Sequence, residues 1–277
     1  MLACTVIFLE RKFIMNTNEF LIDFYKTHDE KNRLVTKQGY VEYMTTMKYI
    51  EKYLKPDMHI LEIGAGTGRY SHDLARKGYK VDAVELVEHN IEIFKQNTLP
   101  EEKITITQGN ATDLSNFKTN TYDITLLLGP MYHLYTTEDK RQALSEAIRV
   151  TKHGGIVFVA YCMADASILL YCFGKGQIHN DIKAGRLNPE TFKTHSNPSD
   201  IFELYRKEDI NLLRSRFNVT QLAFIATDGY TNHMKETINQ MDDETYELYL
   251  KYHLTICERQ EMIGFSHHTL DIFRKEE

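Results

Sequence analysis

The decapeptide His59-Ile-Leu-Glu-Ile-Gly-Ala-Gly-Thr-Gly68 holds the residues best suited to chemistry. A short apolar run ends in a carboxylate and then breaks into three alternating glycines. Gly64, Gly66 and Gly68 lack a Cβ, so the backbone there can take positive φ and approach a nucleoside-sized ligand closely. The residues that follow, from Arg69, have the polarity and length of a helix, whose unpaired N–H groups point back at such a ligand. The spacing is Gly-x-Gly-x-Gly, and Arg69 stands where a dinucleotide fingerprint wants its last glycine. Glu62 sits two residues before Gly64, at the strand end. A carboxylate there repels a pyrophosphate and attracts an ammonium or a sulfonium, which favours a cationic ligand.

Three more features fall at the ends of expected strands, where open α/β sheets bind ligands. Glu85 closes the second strand, and its carboxylate can accept both hydroxyls of a ribose. Gly109-Asn110-Ala111-Thr112 follows the third. A short polar side chain there can accept from an adenine amino group while a backbone N–H donates to the ring. Leu128-Gly129-Pro130-Met131-Tyr132-His133 follows the fourth. Glycine and proline force an irregular loop that leaves Tyr132 and His133 at the crevice mouth.

The elements that must position these groups read as alternating strands and helices. Strands are expected at 58–63, 80–84, 104–108, 122–128 and 156–161, with helices at 70–77, 87–97 and 137–150 between them. That alternation implies right-handed crossovers and a sheet covered on both faces. The expected fold class is α/β, a Rossmann-like doubly wound, mostly parallel sheet with N-terminal helices and an inserted helical cap. Helices are expected over 16–34 and 39–54. Residues 56–161 and 206–277 form the core, 15–55 an N-terminal helical cap, and 162–205 a cap over an acceptor pocket. A helix near 207–214, a strand near 217–226, an irregular or helical block over 228–262 and a strand at 268–273 complete the reading. Residues 1–14 are read as an appendage whose apolar part, residues 1–9, is too short to span a bilayer, and Met15 is an alternative start.

The chain has 277 residues and a formal charge of −6, a balance that argues against a duplex-binding surface. Cys4, Cys162, Cys172 and Cys257 form no Cys-x-x-Cys pair, which speaks against a cysteine-ligated metal site and for reduced thiols in a cytoplasmic protein. No metal site is expected.

Taken together, Glu62-Ile-Gly-Ala-Gly-Thr-Gly68, the acidic end at Glu85, Leu127-Leu-Gly-Pro-Met-Tyr-His-Leu134 and Lys152-His-Gly-Gly155 resemble the class I S-adenosylmethionine-dependent methyltransferases, of the ubiquinone/menaquinone and small-molecule group. The resemblance implies that S-adenosylmethionine is the cofactor. It implies that Glu62 and the loop Gly64, Ala65, Gly66 and Gly68 hold its methionine portion, that Glu85 and Leu86 hold the ribose, and that Asn110 and Ala111 hold the adenine. Asn110 stands where the family often has aspartate. Leu128 and Gly129 would line the sulfonium side. From the N-terminal helices Arg33 would bind the methionine carboxylate, and Tyr40 would cover the sulfonium by a cation–π contact. His133 is the candidate general base. The activity implied is in-line methyl transfer to a small-molecule acceptor. The strand-four loop lacks the Asn/Asp-Pro-Pro-aromatic signature of many base-amino methylases. Alternatives are an RNA or protein methyltransferase, an NAD-dependent oxidoreductase, which Glu62 and Arg69 disfavour, and a non-catalytic S-adenosylmethionine-binding regulator. The oligomeric state is open.

Overall fold

The computed structural model describes residues 17–27 and 32–277. The appendage at 1–14 and Met15 lie outside them. Seven strands form one sheet in the order β3-β2-β1-β4-β5-β7-β6. They are β1 (His59–Ile63), β2 (Lys80–Glu85), β3 (Ile104–Gln108), β4 (Tyr122–Leu127), β5 (Thr151–Cys162), β6 (Val219–Ala226) and β7 (His268–Lys275). The pairs β1–β2, β1–β4, β2–β3 and β4–β5 are parallel. β7 enters between β5 and β6 and runs antiparallel to both. The chain order reverses between β1 and β4, and the ends of those strands open a crevice at this switch point.

Side-chain alternation divides the core into two faces. Leu61, Ile63, Leu127, Val157 and Val159 bury on one face with Ala143, Leu144, Ala147 and Val150 of α5 (Thr137–Val150). Ile60, Ile124, Leu126 and Phe158 bury on the other. There they meet Met47, Tyr49 and Ile50 of α2 (Lys37–Tyr53) and Tyr70 and Leu74 of α3 (Arg69–Arg76). Glu62 shares this second face with Ile60, so its carboxylate points toward α3 and not along the strand.

Two expectations are corrected. The helix over 16–34 is shorter: α1 spans Thr17–Thr27, and residues 32–35 form a turn before α2. In that turn the Arg33 carbonyl crosses α2 at Gly39, only 2.1 Å from where a Cβ would stand, so packing and not helical period sets its path. Thr36 then caps α2 by accepting from the Gly39 N–H. The second difference is in β5, which begins at Thr151 and not after the Lys152–Gly155 turn. Thr151 pairs with Tyr122 and Ile156 with Ile124, so the intervening residues bulge out of the ladder. A 2.7 Å hydrogen bond between the Thr125 and Thr151 hydroxyls holds that early entry. The block after β6, expected as irregular or helical, is largely helical: α9 (Lys235–Gln240), α10 (Asp243–Ile256) and α11 (Gln260–Ile263). The remaining helices are α4 (Glu88–Asn97), α6 (Ala164–Ser167), which continues into a π-turn to Phe173, α7 (Ile178–Lys183) and α8 (Lys207–Arg214). Among the described residues no helix is long and apolar enough to cross a membrane.

Candidate functional site

A cavity of about 220 Å³ opens at the carboxyl ends of β1 to β4. Ile63, Gly64 and Gly66 form its floor, Glu85 and Leu86 one wall, Asn110 and Ala111 the next, and Gly129 and His133 the side under β4. Asn18, Leu21 and Tyr25 of α1 close it from above. A smaller recess of about 40 Å³ adjoins at the same turn and is bounded by Arg33, Glu62, Gly64, Ala65, Gly66 and Tyr70. Gly64 and Gly66 belong to both.

The turn has the backbone shape that its glycines allow. Gly64, Gly66 and Gly68 have φ of +78°, +55° and +91°. At Gly64 a side chain is also excluded by space, since a Cβ would lie 2.5 Å from Pro130 Cδ. The Gly64 and Ala65 N–H groups both donate to the Val84 carbonyl, tying the turn to the end of β2. Gly68 starts α3 against Phe94 and His72, behind the turn and not on either cavity.

Glu85 is buried where β2 ends. One of its oxygens accepts from the Gly66 N–H at 2.8 Å, and the other from the Val87 N–H at 2.9 Å and the Asn90 side chain at 3.3 Å. The carboxylate thus joins the glycine turn to the first turn of α4 while facing the large cavity. Glu62 is only 1 % exposed and accepts from the Ser71 hydroxyl. Burial pushes its carboxyl up to about 8, with Ser71 opposing and Glu85 adding to the rise.

Asn110 bends the chain after β3, its Oδ1 accepting from the Thr112 N–H at 3.1 Å. Arg33 Nη1 donates to both oxygens of Glu42, at 3.0 and 2.8 Å. This pair sets the guanidinium beside the small recess. Two expected residues stand elsewhere. Tyr40 lines neither cavity; its ring lies 5.6 Å from Tyr43 and it packs between the α2 and α10 clusters. Leu128 likewise lines neither, and packs on the α2–α3 face of the sheet.

His133 lies at the cavity edge with both ring nitrogens engaged. Nδ1 is 2.9 Å from the Ile201 carbonyl, which can only accept, so Nδ1 carries the proton. Nε2 is therefore the acceptor for the Tyr25 hydroxyl, 3.0 Å away. Ile201 holds φ at +68°, a conformation β-branched residues avoid, and its carbonyl also receives the Tyr135 hydroxyl at 2.7 Å. Burial pushes the His133 imidazole down to about 4, only partly opposed by the Ile201 carbonyl.

Sequence reading missed the partners of these groups. Ser71 could have been found as the inward residue on the first turn of α3, and Asn90 as the polar residue on the first turn of α4. Ile201 carries no signal, because it reaches His133 across 68 residues.

The sequence model of a family described as a methyltransferase domain matches residues 61–159. This stretch contains the glycine turn, Glu85, Asn110 and the Gly129–His133 loop. Residues 61–159 carry a methyltransferase domain. The demethylmenaquinone methyltransferase of Clavibacter sepedonicus is 31% identical over 101 residues, 36% of this chain and 39% of that protein. The glycine/sarcosine N-methyltransferase of Aphanothece halophytica is 28% identical over 102 residues, 36% of this chain and 38% of that protein. The chain thus spans about two fifths of the length of the curated relatives it matches. A SAM-dependent methyltransferase structure from Methanosarcina mazei has a TM-score of 0.55 and 18% identity, covering 82% of this chain and 97% of that one. Its coverage shows that the shared fold extends beyond the matched residues.

Proposed function

We propose that the chain is a cytoplasmic enzyme that transfers a methyl group from S-adenosylmethionine, in line, to a small-molecule acceptor. The supporting observation is the convergence on one cavity of the left-handed Gly64–Gly66 turn, Glu85, Asn110–Ala111 and Gly129, with Arg33 and Glu62 at the adjoining recess. These residues suit the parts of the cofactor in order. Asn110 and Ala111 take the adenine, Glu85 and Leu86 the ribose hydroxyls, and Gly64 to Gly66 the chain between ribose and sulfur. Arg33 takes the terminal carboxylate, and Glu62 the cationic groups. When bound, the cofactor supplies an activated methyl on a sulfonium.

The chain's own residues then have three tasks. α1 closes the cavity and excludes water. The β4 loop at Gly129–His133 lets an acceptor approach the sulfonium side. His133 accepts a proton where the acceptor must lose one, and it does so through Tyr25. The acceptor's proton passes to the Tyr25 oxygen while the Tyr25 proton moves to Nε2. The segment 162–205 and α10 form the acceptor side.

Calorimetric titration with S-adenosylmethionine and with its demethylated product tests the cofactor assignment, with NAD as the control. Binding of both adenosyl ligands and not of NAD is expected; no heat and no thermal shift with either adenosyl ligand refutes it. A methyl-transfer screen over amines, thiols and phenols then tests the reaction, and failure of every small acceptor while RNA or protein is methylated refutes the acceptor class.

A further inference from the structure

Outside the cofactor cavity, the two edge strands bring together a second set of chemical groups. In the β6–β7 ladder Ala226 faces Thr269, so two residues further on Asp228 faces His267. His268 is the first residue of β7 and pairs with Cys162 at the end of β5. His267 lies in a bend, which turns its ring to the same side as that of His268 although the two are consecutive. Their ring centroids are 4.5 Å apart at 89°.

We infer that Asp228, His267 and His268 bind a divalent first-row transition-metal cation of the zinc class. Each offers one ligand atom, and the three atoms lie within 4.8 Å of one another. Two imidazoles and one carboxylate are a common ligand set for such ions, and leave further positions to solvent. The nitrogen donors select against magnesium and calcium. The carboxylate is already aimed. Its Oδ1 accepts from the Ser266 hydroxyl at 2.7 Å and the His267 N–H at 2.8 Å, and its Oδ2 from Asn232 Nδ2 at 2.6 Å. These bonds do for a ligating carboxylate what outer hydrogen bonds do in metal proteins. Oδ2 also lies 2.8 Å from His268 Nδ1. Two donors on a tetrahedral ion, each about 2.0 Å from it, stand about 3.3 Å apart. A cation can therefore replace the ring proton between them with an opening of about half an ångström. Glu42 Oε2 lies 3.2 Å from the same nitrogen, and its charge is shared with Arg33, 2.8 Å away. Asp228 is buried and both histidines are partly exposed, so the ion has an entry path from solvent.

The test uses the full chain, freed of metal with a chelator and titrated with zinc chloride in a calorimeter, and separately with cobalt(II) chloride to read its visible d–d bands. A single saturable site with cobalt bands of tetrahedral intensity is expected. Affinity should fall at least about tenfold in His267→Ala and in Asp228→Asn. The exposed His153→Ala variant should bind as the unaltered chain does. Asp228 also holds the backbone of the first residues of β7, so Asp228→Asn can fail to fold; His267→Ala touches none of those bonds and decides the matter. No saturable zinc heat, binding unchanged in His267→Ala, or full displacement by magnesium overturns the assignment. None of these readouts uses S-adenosylmethionine, so the metal site and the methyl-transfer reading can fail separately.

Discussion

The Tyr25 hydroxyl donates to Nε2 of His133 across 3.0 Å, and the Ile201 carbonyl behind the ring fixes the tautomer that makes this possible. A helix at the chain's start is thereby bonded to the β4 loop at the cavity edge. The imidazole stays neutral until pH falls to about 4, whereas an unfolded histidine protonates near 6.5. A depressed base gives stability that is fully present above pH 6.5 and is lost as pH falls from there toward 4. Thermal melts from pH 7 to pH 4 should show this loss, and His133→Gln should flatten it. In turnover, no inflection from His133 is expected between pH 5.5 and 8. His133→Gln and Tyr25→Phe should each lower kcat about a hundredfold with an acceptor that must lose a proton. Full turnover with unchanged cofactor affinity in either variant would remove the proton path.

Glu62 gives a prediction of opposite sign. Its carboxyl titrates near 8 in the folded protein and near 4.5 unfolded. A carboxyl raised in this way contributes stability that is present below pH 4.5 and is lost as pH rises through about 8. Glu62→Gln should therefore gain on the unaltered chain as melts move from pH 5 to pH 8.5. A cationic ligand beside Glu62 favours the ionised form, so binding S-adenosylmethionine at pH 7 should release a proton. Affinity should then rise with pH below 8, by at most about tenfold per unit. Titrations in two buffers of different ionisation enthalpy measure the release, and equal heats in both would contradict it.

Much of this was legible in the sequence, and the residues show why. β3 and α5 fall on the expected bounds, and β1, β2 and β4 within a residue, because short apolar runs mark strands buried on both faces, as in β1 and β4, and a period of 3.6 marks the buried side of α5. The glycine turn, Glu85 and the β4 loop are local, and each is written in a few consecutive residues. What escaped depends on distant partners. The turn at residues 32–35 packs the Arg33 carbonyl against Gly39, and no apolar period records that. The β5 bulge depends on Thr151 meeting Thr125 across the ladder. Tyr40 and Tyr43 lie three apart on α2, and only packing decides that Tyr40 faces the α10 cluster instead of a cavity. Asp228 and His267 meet because β7 inserts between β5 and β6, an order that strand periodicity does not encode.

Arg33 and Glu42 form the contact that the proposed carboxylate site depends on. The guanidinium is partly exposed at the small recess, and both Glu42 oxygens hold it in place. Arg33→Ala should weaken S-adenosylmethionine about ten- to a hundredfold, the range of a lost charge-assisted hydrogen bond. Arg33→Lys should recover only part of that, since a point charge does not reproduce the fork. Glu42→Gln should raise the KM for the cofactor by a smaller factor and leave kcat within about twofold, because it changes where Arg33 sits and not whether it is charged. Calorimetry on the variants and initial rates against cofactor concentration check both. Unchanged affinity in Arg33→Ala would place the carboxylate elsewhere.

Gly64 separates backbone conformation from close approach. Its φ of +78° costs an alanine roughly 1–2 kcal/mol, and the new Cβ would also stand 2.5 Å from Cδ and 2.9 Å from Cγ of Pro130. Those atoms belong to a ring and cannot swing away, so the β1 turn and the β4 loop must part. Gly78 is the natural control: its φ is +93°, and nothing lies within 4 Å of a Cβ there. Gly78→Ala should therefore lose about 1 kcal/mol in denaturant unfolding and bind S-adenosylmethionine unchanged. Gly64→Ala should lose about 1–3 kcal/mol more than that, the usual range for forced overpacking. It should also weaken cofactor binding, because the two loops that part are the floor and one wall of the cavity. Equal losses in the two variants would mean that φ alone requires glycine at position 64, and that the turn and the Pro130 ring can separate without cost to the site.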